Sequence, residues 1–436
     1  MSREARTSRT APRLCVIGAG PSGIAAAKHL IGAGLTDLVV YERNAEVGGN
    51  WIFNPQSTHS SVFETTHIIS SKSLSQYDDF AMPADYPDYP GHAQLKAYFQ
   101  AYARHFGVED YVRFQSEVEH AALDRDGRWR VTLASGEAEL FDHLLVANGH
   151  HWKPRLPDYP GAFAGRFLHA HDFKSAAPYA GLRVLVIGGG NSACDIAVET
   201  SRHAARTDLS MRRGYYIIPK FLFGLPTDVF NARFGAGPAW LRERGFKLLL
   251  RLLLGSNASY GLEEPRHRLF AAHPTLNSEL LHLIRHGKIG PRRDVARFEG
   301  DTVHFADGVA ADYDVVIAAT GFTISFPFFD EGFVDYSGLE VPLYLKVFHP
   351  QHRNLFFIGL VQPQGCIWPL AEQQARLVTA FLKGEWRYPE DIEARIAREL
   401  ATPDHQWMKT PRHSVEVDYH AYRARLAKEL AGGRAY

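Results

Sequence analysis

The sequence predicts an α/β protein built from two Rossmann-like domains, the second inserted into a discontinuous first domain. Two observations support this prediction. A short apolar run followed by a glycine-rich turn and a helical stretch occurs twice, beginning at residues 14 and 183. Two later apolar runs, 314–319 and 355–358, are each followed by a glycine and return the chain to the first domain. With 436 residues, 45% of them hydrophobic, the chain can bury a sizeable core.

The first unit has every part of a dinucleotide-binding fold. The apolar run 14–17 is typical of a buried parallel strand, and an alanine-rich helical stretch follows the turn. In such a turn one glycine allows a tight bend, a second lets a pyrophosphate approach the helix N-terminus, and a third allows close packing. The next strand, 38–41, ends in Glu42, whose carboxylate can accept hydrogen bonds from ribose hydroxyls. The turn residues assigned to the dinucleotide are Gly18, Gly20, Pro21, Ser22 and Gly23.

The second unit repeats the pattern. Strand 183–187 leads into a turn in which alanine takes the third glycine position, as the fingerprint allows. A helix and another strand, near 208–211, follow this turn. The turn residues assigned to the second dinucleotide are Gly188, Gly190, Asn191 and Ser192.

The two units end in opposite charges. Arg212 stands 24 residues after the first glycine of its turn, and Glu42 stands 24 residues after the first glycine of the other. A carboxylate suits a free 2′-hydroxyl and repels a phosphate, whereas a guanidinium binds a 2′-phosphate. The contrast predicts FAD in the first unit and NADPH in the second, with hydride transfer from nicotinamide to flavin. The alternative for Arg212 and its neighbour Arg213 is a solvated strand end.

The order of these units predicts the domain organisation. Residues 1–12 form a flexible N-terminal arm, and residues 13–175 form the first part of the FAD-binding domain. Residues 176–325 form the NADPH-binding domain, which carries a helical insertion at about 215–265. Residues 326–436 complete the FAD-binding domain and add a C-terminal helical segment.

Composition and charge exclude several classes of protein. Basic and acidic residues both number 48, so net charge gives no reason to expect a nucleic-acid partner. Three widely separated cysteines exclude a disulfide framework, and no ligand spacing among the 22 histidines predicts a metal site. The chain has no secretory signal and no uncharged apolar run of membrane-spanning length, so a cytoplasmic protein is expected.

The sequence predicts a basic, leucine-rich helix at residues 239–254. This helix packs on its own protein or on a subunit partner, or it lies on a membrane surface. Packing on the protein or on a subunit partner is favoured over a membrane surface, and a homo-oligomer stays open.

Motifs between and after the two glycine turns resemble those of a known family. The segment 163–173 matches the pattern FxGxxxHxxx(F/Y), with its histidine at His169 and its last aromatic at Phe173. Further matching segments are 190–195, 319–322 and 357–363. In these features the chain resembles the flavin-containing monooxygenases, which are class B flavoprotein monooxygenases, over about residues 13–380.

The resemblance implies a reaction. NADPH reduces FAD, reduced flavin and O2 form a C4a-(hydro)peroxyflavin, and one oxygen atom passes to a small nucleophilic nitrogen or sulfur compound. Baeyer–Villiger oxygenation of a ketone is the close rival. The related Baeyer–Villiger signature ends in tryptophan, so Phe173 favours heteroatom oxygenation. An uncoupled NADPH oxidase and a nucleotide-binding redox sensor stay open as well.

The resemblance also implies site residues. Those for FAD, beyond the first turn and Glu42, are Gly49, Asn50, Trp51 and Gln362. Those for NADPH are Ser192, Asp195, Arg212 and Arg213, with Tyr89 and His92 as weaker candidates. For His169 a structural role is favoured.

One position departs from the family pattern. An asparagine usually precedes a Ser-Ser-Lys-like segment close to the flavin and the nicotinamide ribose, and this chain has Ile69 there. Isoleucine cannot donate a hydrogen bond. Three outcomes are open: Ser70 supplies the contact as the catalytic residue, the chemistry shifts to another oxygenation, or reduced flavin leaks hydrogen peroxide.

Overall fold

Two five-stranded parallel sheets form the frame of the molecule. The computed structural model describes residues 11–56, 59–234, 238–402, 407–408, 410 and 413–433, so most of the predicted arm 1–12 lies outside it. The first sheet has the strand order Leu355–Phe357, His143–Val146, Leu14–Ile17, Leu38–Tyr41, Val112–Arg113. The second sheet has the order Ile289–Arg292, Arg206–Ser210, Arg183–Ile187, Val315–Ala318, Arg166–His169. The chain leaves the first sheet, completes the second and returns through Leu355–Phe357, which confirms the predicted fold class. The expectation that the run 314–319 also returns the chain to the first domain is wrong, because Val315–Ala318 pairs with Arg183–Ile187 in the second sheet.

Smaller elements flank these sheets. Antiparallel three-stranded sheets are formed by Val118–Leu123, Trp129–Leu133 and Ala138–Phe141, and by Val295–Glu299, Thr302–Phe305 and Ala310–Asp312. Two-stranded pairs are Ile217–Ile218 with Thr275–Leu276, Phe221–Leu222 with Leu225–Pro226, and Gln362–Pro363 with Glu416–Val417. The helices are Pro21–Gly32, His92–His105, Asn191–Thr200, Thr227–Phe234, Ala239–Leu254, Leu280–Arg285, Ile367–Leu382, Ile392–Ala401 and Tyr419–Gly433. Short 3₁₀ turns are Gly49–Trp51, Lys72–Leu74, Glu109–Tyr111, Ala170–Asp172, Ala177–Tyr179 and Asn257–Tyr260.

One predicted domain boundary needs correction. The sequence places strand Arg166–His169 in the first part of the FAD-binding domain, which it ends at residue 175. In the structure this strand pairs in parallel with Val315–Ala318 at the edge of the second sheet. The second domain therefore begins before Arg166. The pairing partner lies about 150 residues further along the chain, and no local pattern reports so distant a contact.

Close packing of the first helix explains the glycine in its first turn. All four residues of strand Leu14–Ile17 are buried, and helix Pro21–Gly32 packs on this sheet and against helix Ile367–Leu382. A β-carbon on Gly23 would lie 1.8 Å from the carbonyl oxygen of Gly18. Only glycine allows helix and turn to approach this closely.

A buried carboxylate joins the same two helices. Glu372 is fully buried; its Oε1 lies 3.3 Å from the Lys28 ammonium and 3.2 Å from His29 Nε2. Its Oε2 accepts a hydrogen bond from the Asp78 backbone N–H at 3.0 Å. Burial opposes ionisation, but the hydrogen bonds from His29 and Asp78 and the Lys28 charge outweigh it and lower the pKa of Glu372 to about 2.

Glu372→Gln is expected to lower the melting temperature at neutral pH and to flatten its fall in acid. A carboxyl with a lowered folded-state pKa stabilises the fold above its unfolded pKa, and this stability is lost as pH falls through the folded pKa. The contribution is about 2–3 kcal/mol at pH 7 and disappears between about pH 4.5 and pH 2. Thermal melting across this range measures it, with the exposed Glu385→Gln as control. Parallel melting curves for wild type and Glu372→Gln would contradict the assignment.

Candidate functional site

A deep cleft opens at the carboxyl ends of the first sheet's strands. Its cavity volume is about 230 Å³. The glycine turn after Leu14–Ile17 forms one wall, and Glu42 stands at the end of the neighbouring strand. The turn after His143–Val146 forms the opposite wall, and Gly359 closes the floor. This is the edge at which doubly wound sheets bind ligands.

Two glycine backbones form a narrow cradle in this cleft. Gly49 has a φ of +54°, and a β-carbon on it would lie 2.8 Å from the Cα of Gly20. A β-carbon on Gly20 would meet nothing closer than the Gly49 Cα at 3.5 Å. A side chain on Gly49 would therefore clash with the Gly20 backbone, whereas a side chain on Gly20 would enter the space beside the N-terminus of helix Pro21–Gly32. Such a cradle of backbone at a helix N-terminus fits the pyrophosphate of FAD.

The predicted acidic residue, Glu42, lines the cleft at the end of strand Leu38–Tyr41. Glu42 is buried, and its Oε2 accepts a hydrogen bond from the Ala19 backbone N–H at 2.7 Å. Its Oε1 accepts hydrogen bonds from the backbone and side-chain nitrogens of Asn44, at 2.9 and 2.6 Å. These donors fix the orientation of the carboxylate and aim it across the glycine turn.

Asn50 and Trp51 also line the cleft. The Asn50 Oδ1 accepts hydrogen bonds from the Ser61 backbone N–H and hydroxyl, at 2.8 and 3.0 Å. Trp51 packs edge-on against Trp368 with ring centroids 5.9 Å apart. Contacts with Ser61 and Trp368 thus fix the glycine-rich turn 48–51, and the Trp51 ring forms part of the cleft wall.

The opposite wall carries histidines that the sequence analysis did not assign. His150 and His151 follow strand His143–Val146, and His150 Nε2 lies 3.3 Å from the Oε1 of Gln362. Burial lowers the pKa of His150 to about 4, so its imidazole is neutral at pH 7. Burial likewise lowers the pKa of His59, on the same cleft, to about 4. No pattern in the sequence indicates that these side chains line the cleft.

The second glycine turn opens toward the two predicted arginines. Gly188 has a φ of +140°, and a β-carbon on Gly189 would lie 2.1 Å from the ring of Tyr215. The Arg213 guanidinium stacks on that ring at 5.3 Å from its centroid. The buried Nε of Arg213 has no hydrogen-bond partner, and Arg212 is exposed without an ion pair among the described residues. This orphaned donor fits a bound phosphate.

Other predicted NADPH residues are already engaged. Asn191 Oδ1 accepts from the Leu276 backbone N–H at 2.7 Å, and Asp195 Oδ1 accepts from the Asn277 side chain at 2.8 Å. Burial raises the pKa of Asp195, while the nearby Lys220 and His67 oppose this shift. Lys220 and His67 hydrogen-bond to each other across the two domains. Asp195 therefore faces an interdomain polar cluster, which sequence spacing could not reveal, whereas Ser192 is exposed at the turn.

Ile69 and Ser70 are not among the described residues that line the cleft. The Ser70 hydroxyl is buried 2.7 Å from the Ser75 hydroxyl, and both hydrogen-bond with the Cys366 thiol. The Ser70 hydroxyl thus points into the protein and away from the cleft, and its catalytic role stays a prediction.

The remaining candidates contact neighbouring segments of the chain. Tyr89 donates a hydrogen bond to the Lys220 carbonyl at 2.6 Å, and His92 lies 3.1 Å from the Glu64 carbonyl. The His169 ring accepts a hydrogen bond from the His171 backbone N–H at 3.0 Å.

The fold and these two turns define a two-dinucleotide flavoprotein. Comparison with known proteins agrees: the family model "Flavin-binding monooxygenase-like" matches residues 11–433. The chain is 34% identical to human flavin-containing monooxygenase 5, over 98% of this chain and 84% of that protein. It is 33% identical to rat dimethylaniline monooxygenase [N-oxide-forming] 2, over 96% of this chain and 82% of that protein. The chain belongs to the flavin-binding monooxygenase-like family and is an FAD- and NADPH-dependent monooxygenase.

Solved structures agree on the fold. S-allyl-L-cysteine S-oxygenase from Allium sativum superposes with a TM-score of 0.71 at 23% identity, covering 98% of this chain and 90% of that one. An ε-caprolactone-bound cyclohexanone monooxygenase superposes with a TM-score of 0.73 at 18% identity, covering 98% and 99%. One fold therefore carries both kinds of oxygenation, and the substrate class must be argued from the site.

In the described part of the chain no helix is long and apolar enough to cross a membrane. The same residues hold no cluster of three or more histidine, cysteine, aspartate or glutamate side chains suited to a metal ion.

Proposed function

We propose that this monooxygenase oxygenates a small nucleophilic nitrogen or sulfur compound. FAD would lie in the cleft with its pyrophosphate in the Gly20–Gly49 cradle and a ribose on Glu42. NADPH would lie on the second glycine turn with its 2′-phosphate on Arg212 and Arg213. The domain that binds NADPH is the one inserted into the FAD-binding domain.

We choose between the substrate classes from the small number of positively charged side chains that line the cleft. Bound flavin can supply activated oxygen either in a neutral form, which attacks nucleophiles, or in an anionic form, which attacks carbonyl carbons. Among the described residues that line the cleft, Arg43 is the only arginine or lysine, and it adjoins Glu42 at the ribose end. The buried His150 is neutral at pH 7 because its pKa is about 4. This lining does not stabilise an anion, and so it favours the neutral oxidant and a nucleophilic substrate.

The second candidate function is an uncoupled NADPH oxidase, and the orientation of the Ser70 hydroxyl supports it. Ser70 points toward Ser75 and Cys366, and Ile69 cannot donate a hydrogen bond in the place of the family asparagine. If no other donor takes that role, part of the reducing power of NADPH ends in hydrogen peroxide.

A substrate comparison tests the proposal. The purified enzyme is incubated with NADPH and, separately, N,N-dimethylaniline, methyl phenyl sulfide and cyclohexanone, while NADPH, product and hydrogen peroxide are measured together. We expect N-oxide or sulfoxide formation to account for most of the NADPH consumed, and no lactone from cyclohexanone. Lactone as the main product would support ketone oxygenation instead. Peroxide that matches NADPH with all three compounds would support the oxidase.

A further inference from the structure

The second glycine turn contains a glycine that the nucleotide fingerprint does not require. The fingerprint needs small residues at Gly188, Gly190 and Ala193, whereas the residue between the first two is free to vary. In the structure, the three atoms nearest to a β-carbon built on Gly189 all belong to the Tyr215 ring, at 2.1, 2.3 and 2.7 Å. Glycine at this position therefore leaves room for that ring to lie against the turn.

The insertion of the second domain holds the Tyr215 backbone in this position. The Asn257 side-chain nitrogen donates hydrogen bonds to the carbonyls of Tyr215 and Glu263, both at 2.9 Å. A β-carbon on Gly214 would lie 2.4 Å from the Glu263 carbonyl oxygen, so glycine is needed for the two segments to approach this closely. Contacts with the turn and with the insertion thus fix Tyr215 from two sides.

The Tyr215 ring in turn contacts a guanidinium. The Arg213 Cζ lies over the ring, 5.3 Å from its centroid, which is within the range of a cation–π interaction. Such a contact attracts the charge of the guanidinium and does not require its N–H groups as hydrogen-bond donors. The buried Nε of Arg213 has no hydrogen-bond partner among the described residues. The ring therefore orients Arg213 and leaves its donors for a phosphate.

We propose that Tyr215 is a positioning residue that sets the preference for NADPH over NADH by holding the Arg213 guanidinium in place for the 2′-phosphate. This role rests on the function proposed above, which places that phosphate on Arg213. A mobile arginine side chain must be ordered when its ligand binds, and this ordering costs conformational entropy. The ring reduces that cost for NADPH only, because NADH has no 2′-phosphate. Gly189 belongs to the same arrangement, since it makes room for the ring.

The competing explanation is direct contact of the ring with a part of the coenzyme that NADPH and NADH share. The two explanations differ in coenzyme selectivity. A ring that acts through Arg213 strengthens the binding of NADP⁺ alone, whereas a ring that contacts a shared group strengthens the binding of NAD⁺ as well. The geometry favours action through Arg213, because its guanidinium lies over the ring while Gly189 occupies the side toward the turn.

Titration calorimetry of the FAD-loaded enzyme with NADP⁺ and with NAD⁺ tests the proposal. Tyr215→Leu removes the ring but keeps an apolar side chain, and we expect it to weaken NADP⁺ binding about 3- to 30-fold. NAD⁺ binding should weaken by less than about twofold. Tyr215→Phe keeps the ring and should bind both coenzymes like wild type.

A second variant displaces the ring from the side of the turn. Gly189→Ala should reproduce the selective loss of NADP⁺ affinity, because its methyl group would meet the Tyr215 ring. Gly245→Ala is the matched control in the same domain. A β-carbon on Gly245 would meet nothing within 4 Å, so this variant should bind both coenzymes like wild type.

A double-mutant cycle separates positioning from an independent contact. In the Arg213→Ala background, Tyr215→Leu should weaken NADP⁺ binding by less than about twofold, because the ring then has no guanidinium to hold. Additive losses in the double variant would overturn the proposal. Equal losses of NADP⁺ and NAD⁺ affinity in Tyr215→Leu would also overturn it, as would a loss in Tyr215→Phe as large as that in Tyr215→Leu.

The single variant Arg213→Ala distinguishes failure of the role of Tyr215 from failure of the proposed function. If Arg213→Ala weakens NADP⁺ binding selectively while Tyr215→Leu binds like wild type, Arg213 holds the phosphate and only the role of Tyr215 is overturned. If Arg213→Ala leaves NADP⁺ binding unchanged, the placement of the phosphate is wrong, and the role of Tyr215 is overturned with it. Melting temperature and FAD content confirm that each variant is folded.

Discussion

Replacing Gly20 with alanine is expected to weaken FAD binding without unfolding the enzyme. The new methyl group would meet only the Cα of Gly49, at an ordinary contact distance of 3.5 Å, so the protein itself can accept it. The methyl would instead occupy the cradle beside the N-terminus of helix Pro21–Gly32. A pyrophosphate could no longer reach the backbone N–H groups there. Loss of one such charged hydrogen bond costs about 1.5–3 kcal/mol, which predicts FAD binding about 10- to 100-fold weaker.

Flavin titration of apoprotein measures this effect, with Gly32→Ala as the matched control. Gly32 ends the same helix, and a β-carbon on it would meet nothing within 4 Å. Alanine there should retain FAD and slightly raise the melting temperature, because glycine is a poor helix former. Full FAD retention by the folded Gly20→Ala protein would contradict the cradle. A lower melting temperature of the Gly20→Ala apoprotein would place its effect on folding instead.

The fold and the cofactors could be predicted because their signals are local in sequence. Buried parallel strands appear as short apolar runs, and a phosphate-binding turn needs glycines at fixed offsets. Glu42 and Arg212 stand one and two residues after a strand, so their opposite charges could be predicted to lie at strand ends without knowing the tertiary structure. The parallel sheets confirm the α/β class, and the family to which the chain belongs confirms the use of FAD and NADPH.

The parts that could not be predicted depend on contacts between distant segments. Strand Arg166–His169 joins the second sheet through a strand almost 150 residues away. Asp195 contacts Asn277, which lies 82 residues further along the chain, and Ser70 contacts Cys366, which lies in the last quarter of the chain. Spacing patterns identify which residue types stand near a turn, but the direction of each side chain is set by packing. The resemblance to the family indicates which positions lie near the cofactors, but it does not predict the direction in which their side chains point.

Removal of both Arg212 and Arg213 is expected to abolish the preference for NADPH over NADH. A phosphate that loses two charge-assisted partners loses about 3 kcal/mol or more, so KM for NADPH should rise about 100-fold or more. NADH has no 2′-phosphate, and its KM should change about threefold at most. Steady-state kinetics with both coenzymes measures the difference. Arg297→Ala, an exposed arginine in the second domain that pairs with Glu299, serves as the control and should change neither KM.

The two arginines should contribute unequally. Arg213 stacks on Tyr215, and its buried Nε lacks a partner, so the guanidinium is positioned before the phosphate arrives. Arg212 is exposed and must be ordered by the ligand, which costs side-chain entropy. Arg213→Ala should therefore raise KM for NADPH more than Arg212→Ala. Arg213→Lys should recover only part of the loss, because an ammonium keeps the charge but cannot reproduce the stacked, bidentate guanidinium. Equal rises in KM for NADPH and NADH in both single variants would show that these arginines bind a group that the two coenzymes share.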